Sequence, residues 1–472
     1  MNESVFYRLR MLVAFEIDSF EKQLRALGSS HFPSQVASDF ISHLRGELSS
    51  QREAIAQIVL DYGDDPKGAG SRLRSEHRKL VEKLDYLDSL ENAQTQKVPW
   101  SLVPTIERLA SELLPRKRLL TASTSELNYG IRWYRSPKSA LQQFLILELP
   151  AIHKTNAFLH ILVGHEFFHP LLEKFFSRET PPVVARLRAT CQDQFAKAHG
   201  QGDLFQKQRL GEIVEILRHI WHRALEELAC DMGCAAVFGP VCVFAGLALA
   251  SGGNLDEPPS PEGRFYPPWR FRFRSVLRYA LAGEEEGGQQ GSPLDVLARV
   301  LRDADFAEAA EILEQQVQVI KGETEQDTDL QGIKRLWHLR TAYEEVEKSL
   351  PSAWNYVKNR AEQMERTWLT TMKEVPTHLR HLELLVPPSV VRRDMDDARG
   401  APASLSAISI AAWLHQLRGE VPDKNAPAET LLADYQRTCR LVLKAFEDVE
   451  SKRRYDSRLQ QVPTMDDASQ DR

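Results

Sequence analysis

The residues best equipped for chemistry are His165, Glu166 and His169. They stand as His-Glu-Phe-Phe-His within the run NAFLHILVGHEFFHPLLEKFF, residues 156–176. On an α-helix, side chains four apart share a face. Two imidazoles so placed can hold one Zn²⁺ at about 2.0–2.1 Å. Glu166 lies next to the first of them, within reach of water at the ion, and zinc brings the pKa of such water toward about 7. A carboxylate there can take the water's proton and later pass it to a leaving amine. No other charged residue occurs between Lys154 and Glu173. Burying His, Glu and His in an apolar run is costly unless something satisfies them. A metal does so; a pair of core histidines bonded to backbone would do so too.

A second pattern follows on a long helical stretch. Glu227 and Asp231 are four apart, in HRALEELACDMG, residues 222–233. HExxH followed by ExxxD resembles the gluzincin metallopeptidases. The resemblance implies that Glu227 is the third zinc ligand, with Glu226 ranking second. It also implies that Asp231 orients a ligand histidine, as such carboxylates fix tautomer and ring angle. The segment from Tyr266 to Arg272 resembles one in integral-membrane CAAX-prenyl proteases and their relatives, in which a His precedes an Arg by six positions. Here Tyr266 replaces the His and Arg272 keeps the spacing. Both are thereby expected near the substrate carbonyl, where a phenol can donate to an oxyanion. Gluzincins place a small sheet before the active-site helix, and its edge strand binds peptide in extended form. The run QFLILEL, residues 143–149, is the candidate for that strand. The resemblance covers about residues 100–282 and implies a zinc metallopeptidase, a hydrolase acting on peptide or protein. The alternatives are a catalytically inactive zincin fold serving as a regulatory or interaction scaffold, and a helical binding protein with a fortuitous HExxH.

Other candidates carry less. His160 lies off the His165 face, and His219 and His222 share the Glu227 helix; satisfied histidines are the plainer reading. Cys230 and Cys234, four apart on a helix, could be proposed as ligands, and small buried hydrophobes are the plainer reading. The short RFRFR at 270–274 sits in a chain with 60 basic and 66 acidic residues and net charge −6, so nucleic acid is not an expected partner. Pro170, directly after His169, should kink or end the helix.

The elements around the site read as predominantly α-helical, an α+β chain with a zincin-like core between helical flanks. Residues 1–95 form an N-terminal helical segment. Val5, Leu9, Leu12, Phe20, Leu24 and Leu27 fall on one stripe, and a turn is expected at DYGDDPKGAG. This arm is a core-packing hairpin or a surface for a protein partner. Residues 96–282 form the peptidase domain, with strands at 118–122, 126–134 and 143–149. A C-terminal helical domain spans 293–455, and 456–472 is a polar tail expected to be disordered. Breaks are expected at 251–263, 283–292, 321–329 and 396–404. The uncharged stretch 233–250 is near membrane-spanning length, but Gly239-Pro240 interrupts it and a buried core helix is expected instead. Five cysteines, odd in number and without a CxxC pair, fit a reducing, cytoplasmic setting. The N-terminus lacks an apolar h-region, so no signal peptide is read.

Overall fold

A computed structural model describes residues 3–133, 143–199, 204–250, 255–256, 266–281, 291–321, 337–391, 400–419 and 428–460. The first three expected breaks fall largely outside these residues, as do residues 461–472 of the expected tail; the fourth, 396–404, is described from residue 400 and includes a short strand, and residues 456–460 are helical. The chain is predominantly helical with a small mixed sheet of three strands. It divides into two compact units, Met1–Thr155 and Asn156–Arg472. The sheet therefore groups with the N-terminal helices, whereas the sequence pattern had placed the boundary at residue 95.

In the first unit, α1 (Glu3–Leu27), α2 (Gln35–Leu60) and α3 (Pro66–Asn92) pack together and are followed by α4 (Val103–Leu113). The face that α1 buries is Phe6, Val13, Ile17, Phe20, Leu24 and Leu27. Val5 and Leu12, expected on that stripe, are exposed. Ser34 caps α2 by accepting the Val36 N–H. Helix α3 starts inside the expected turn. Asp65 accepts the Gly68 N–H, and Pro66 takes the first helical position, where its missing N–H costs nothing.

The sheet comprises β1 (Arg118–Thr124), β2 (Gly130–Trp133) and β3 (Phe144–Pro150). Its order is β1-β3-β2. β3 runs parallel to β1, with Leu120 opposite Ile146, and antiparallel to β2, with Ile131 opposite Leu147. This corrects one expectation. β3 is the central strand, both its edges are paired, and it has no edge to offer a peptide. Its near-continuous burial is what a central strand requires. Leu120, Ala122, Phe144 and Ile146 join one core with the faces of α1, α2 and α3.

The second unit is built around α5 (Val163–His199) and α6 (Leu204–Phe238). After them come α7 (Val241–Ala250), α8 (Trp269–Val276), α9 (Pro293–Asp303), α10 (Ala307–Lys321), α11 (Trp337–Ala361), the single turn α12 (Trp368–Thr371) and α13 (Val375–Glu383). A two-stranded ribbon of β4 (Val390–Val391) and β5 (Ala401–Pro402) precedes α14 (Leu405–Gly419) and α15 (Ala428–Gln460). α6 packs on α5 and on α11. The Trp221 indole N–H donates to Ser349 Oγ across the α6–α11 seam (3.1 Å), and Tyr356 of α11 donates to the Leu171 carbonyl of α5 (3.0 Å). Helix α5 does not end at Pro170 but runs on to His199. Burial of Phe167, Phe168, Leu172, Phe175 and Phe176 against its neighbours outweighs one lost backbone hydrogen bond.

The apolar stretch 233–250 breaks where expected. Gly239 takes φ +73° between α6 and α7, a conformation that favours glycine. Both sides of the break are buried. Among the described residues, no helix is long and apolar enough to cross a membrane.

Candidate metal centre

Two helices bring the chemistry together, and their closeness is a matter of small residues. A Cβ on Gly233 of α6 would lie 2.5 Å from the Phe168 ring of α5, and one on Gly164 would lie 2.4 Å from Phe238. Glycine at both positions lets the HExxH turn and the ExxxD turn face each other across a short gap.

Across that gap the side chains converge in pairs. His165 Nδ1–H donates to Asp231 Oδ1 at 2.8 Å, which turns Nε2 toward Glu227, whose Oε2 is 3.4 Å away. His169 Nδ1–H donates to Glu226 Oε1 at 3.1 Å. Glu166 Oε2 stands 3.9 Å from His169 Nε2. The two rings meet edge to face with centroids 5.0 Å apart. One donor atom each from His165, His169 and Cys230 lie within 4.8 Å of one another. A tetrahedral centre with bonds of about 2.0–2.1 Å places its ligand atoms about 3.3 Å apart. The His165–Glu227 separation already matches that edge.

His165, Glu166, His169, Glu227 and Asp231 thus lie in one neighbourhood, but the group whose donor atoms come within 4.8 Å of one another takes Cys230 as its third member, not Glu227. Arg272 reaches the same place by another route than the one expected. Its Nε and Nη2 fork onto Asp231 Oδ2 and Oδ1 at 2.6 and 2.8 Å, and Nη2 also lies 3.3 Å from Glu227 Oε2. The Trp269 ring backs the guanidinium at 4.6 Å. Arg272 therefore braces the two carboxylates that serve His165. Tyr266 is half-buried. Burial raises its pKa, and the Glu227 charge adds to that.

Two residues stand closer to the centre than the sequence reading put them: Glu226, ranked second to Glu227 there, and Cys230, read as a buried hydrophobe. Glu226 carries the second imidazole, and its signal was the Glu-Glu pair, since neighbouring helix positions point to neighbouring faces. Cys230 lies three residues beyond Glu227, on the same face. Of the remaining histidines, His222 lies against the Phe176 ring with centroids 3.9 Å apart, its Nδ1 3.8 Å from Glu226 Oε2. His160 is buried.

The electrostatics follow from burial among opposing charges. Burial pushes the Glu166 carboxyl up, only partly countered by the neighbouring imidazoles. Burial also opposes charge on Glu227, but the His165 hydrogen bond and the Arg272 guanidinium prevail and hold it at about 2. Asp231 is likewise held below the carboxylate range, with burial overcome by Arg272 and His165. Burial works against a charged His165, yet its bonds to Asp231 and Glu227 raise its pKa well above the usual value. Burial first, and the surrounding carboxylates after it, push the Cys230 thiol up. Four carboxylates, Glu166, Glu226, Glu227 and Asp231, here face two guanidiniums, Arg272 and Arg223. Such an excess of negative charge around two imidazoles suits a divalent cation.

Comparison with protein-family models, curated proteins and solved structures found no match.

Proposed function

We propose that the chain is a zinc-dependent peptidase of gluzincin type, with a zincin-like core formed by α5 and α6. The observation that carries this reading is the pairing of each HExxH imidazole with its own carboxylate through Nδ1. That arrangement fixes both tautomers and leaves each Nε2 for a cation. His165, His169 and Glu227 would hold the ion. Zinc bound there supplies a Lewis acid that acidifies water and polarises a carbonyl.

The chain's own groups supply the rest. Glu166 takes the proton from the attacking water and returns it to the leaving amine, and its raised pKa suits it to both steps. Asp231 and Glu226 keep the imidazoles aimed, while Arg272 keeps Asp231 and Glu227 charged and in place. The Tyr266 hydroxyl donates to the carbonyl oxygen as negative charge builds on it. The substrate is a peptide or protein. Five free thiols suit a reducing, cytoplasmic compartment.

The test is zinc content together with peptide-library cleavage, comparing wild type with Glu166→Gln. A peptidase carries about one zinc per chain. The variant keeps it and loses turnover by about 10²–10⁴-fold, the usual worth of a general base. Zinc in both with cleavage in neither leaves the second reading, an inactive zincin scaffold, which the nearness of Cys230 to the ligand atoms favours. A zinc-free wild type ends the metal reading altogether.

A further inference from the structure

The Cys230 sulfur shares a 4.8 Å neighbourhood with donor atoms of His165 and His169. Cys234, one turn further along α6, is engaged elsewhere. Its sulfur lies 2.7 Å from that of Cys242 and 3.6 Å from the Ile161 carbonyl. Glu227, Cys230 and Asp231, at i, i+3 and i+4, form one strip of α6 facing the HExxH turn. With Zn–S near 2.3 Å and Zn–N near 2.0–2.1 Å, sulfur and nitrogen in a tetrahedron sit about 3.5 Å apart. The present separations are at most 4.8 Å, little more than an ångström above that.

We propose that Cys230 is a fourth ligand of the same ion, closing the centre in the resting protein. This rests on the metal-centre reading above and adds a control to it. Two imidazoles, a carboxylate and a thiolate fill a tetrahedron, the closed pattern of a structural site. Catalytic centres keep one position open. Turnover then requires the sulfur to leave the ion. A thiolate in the set also favours zinc over magnesium, calcium or manganese, which prefer oxygen ligands.

The experiment uses the full chain, stripped of metal and loaded with one equivalent of Co²⁺, which adopts the tetrahedral geometry of zinc and can be seen. The expected wild-type spectrum has the visible bands of tetrahedral cobalt and an intense near-ultraviolet sulfur-to-cobalt band. In Cys230→Ser the sulfur band is lost and the visible bands stay. Visible bands without a sulfur band in wild type, or a sulfur band that survives the substitution, overturns the role of Cys230 and leaves the His-His-Glu centre standing. Failure of both proteins to bind cobalt in a chelator competition overturns the centre itself, and the inference with it.

Discussion

Each imidazole of the candidate centre is steered by a carboxylate, but the two carboxylates are not equally easy to test. Asp231 also receives the fork of the buried Arg272, so Asp231→Asn would strand a buried charge at a cost of about 3–5 kcal/mol. Glu226 is the cleaner handle, because its other partners are the half-exposed Arg223 and His222. In Glu226→Gln the His169 Nδ1–H keeps an acceptor but loses a charged one. Zinc affinity is expected to fall about 10- to 100-fold, with little change in the denaturation midpoint. A chelator-competition titration beside a urea melt checks both halves, and unchanged affinity would remove Glu226 from the centre. At this scale the sequence was informative where spacing sets direction. His165 and His169, or Glu227 and Asp231, need only a helix to share a face. It was silent on which carboxylate serves which ring, because that depends on how two helices rotate against each other. Arg272 shows the same limit: its spacing pointed to the site, and only packing reveals that it grips Asp231 and Glu227.

Helix α6 offers a controlled comparison, since it contains two glycines in opposite surroundings. Gly211 is exposed, with nothing within 4 Å of an added Cβ, whereas Gly233 would drive one into the buried Phe168 ring. Alanine improves helix propensity at both positions by about 1 kcal/mol. Gly211→Ala should therefore raise the urea midpoint. Gly233→Ala should lower it, because overpacking costs about 1–3 kcal/mol and the displaced ring belongs to the residue before His169. Two variants that shift the same way would mean that α5 and α6 are not held at the distance described. The periodicity over residues 103–114 and 206–238 reads as helix, and α4 and α6 end within two residues of those limits. The misses have local causes. Pro170 was read as a kink or an end, but the helix continues through it, with Leu172, Phe175 and Phe176 buried beyond it. Pro66 was read as part of a turn, although with Asp65 before it proline is a helix start. For β3, the unbroken apolar run carried the sign of a central strand, and the family pattern argued for an edge instead.

A chain of 472 residues exceeds what one hydrophobic core usually spans, so more than one folding unit was foreseeable from length alone. The place of the division was not. Leu120, Ala122, Phe144 and Ile146 join the core of α1, α2 and α3 from far along the chain, and such contacts leave no mark in local composition. The division has a thermodynamic consequence, because every residue assigned to the metal lies in the second unit, on α5 and α6. A ligand that binds only the folded form stabilises what it binds, by about 2.7 kcal/mol at a hundredfold excess over Kd. Scanning calorimetry of the full chain with saturating zinc, and again with a chelator, should move the melting of the second unit by several degrees. The melting of the first, whose core contains no metal-binding residue, should stay where it is. Assignment of the transitions is straightforward with a Leu44→Ala variant, which opens a cavity in the first core and lowers that transition alone. If zinc moved the transition that Leu44→Ala lowers and left the other in place, the ion would be bound away from His165 and His169.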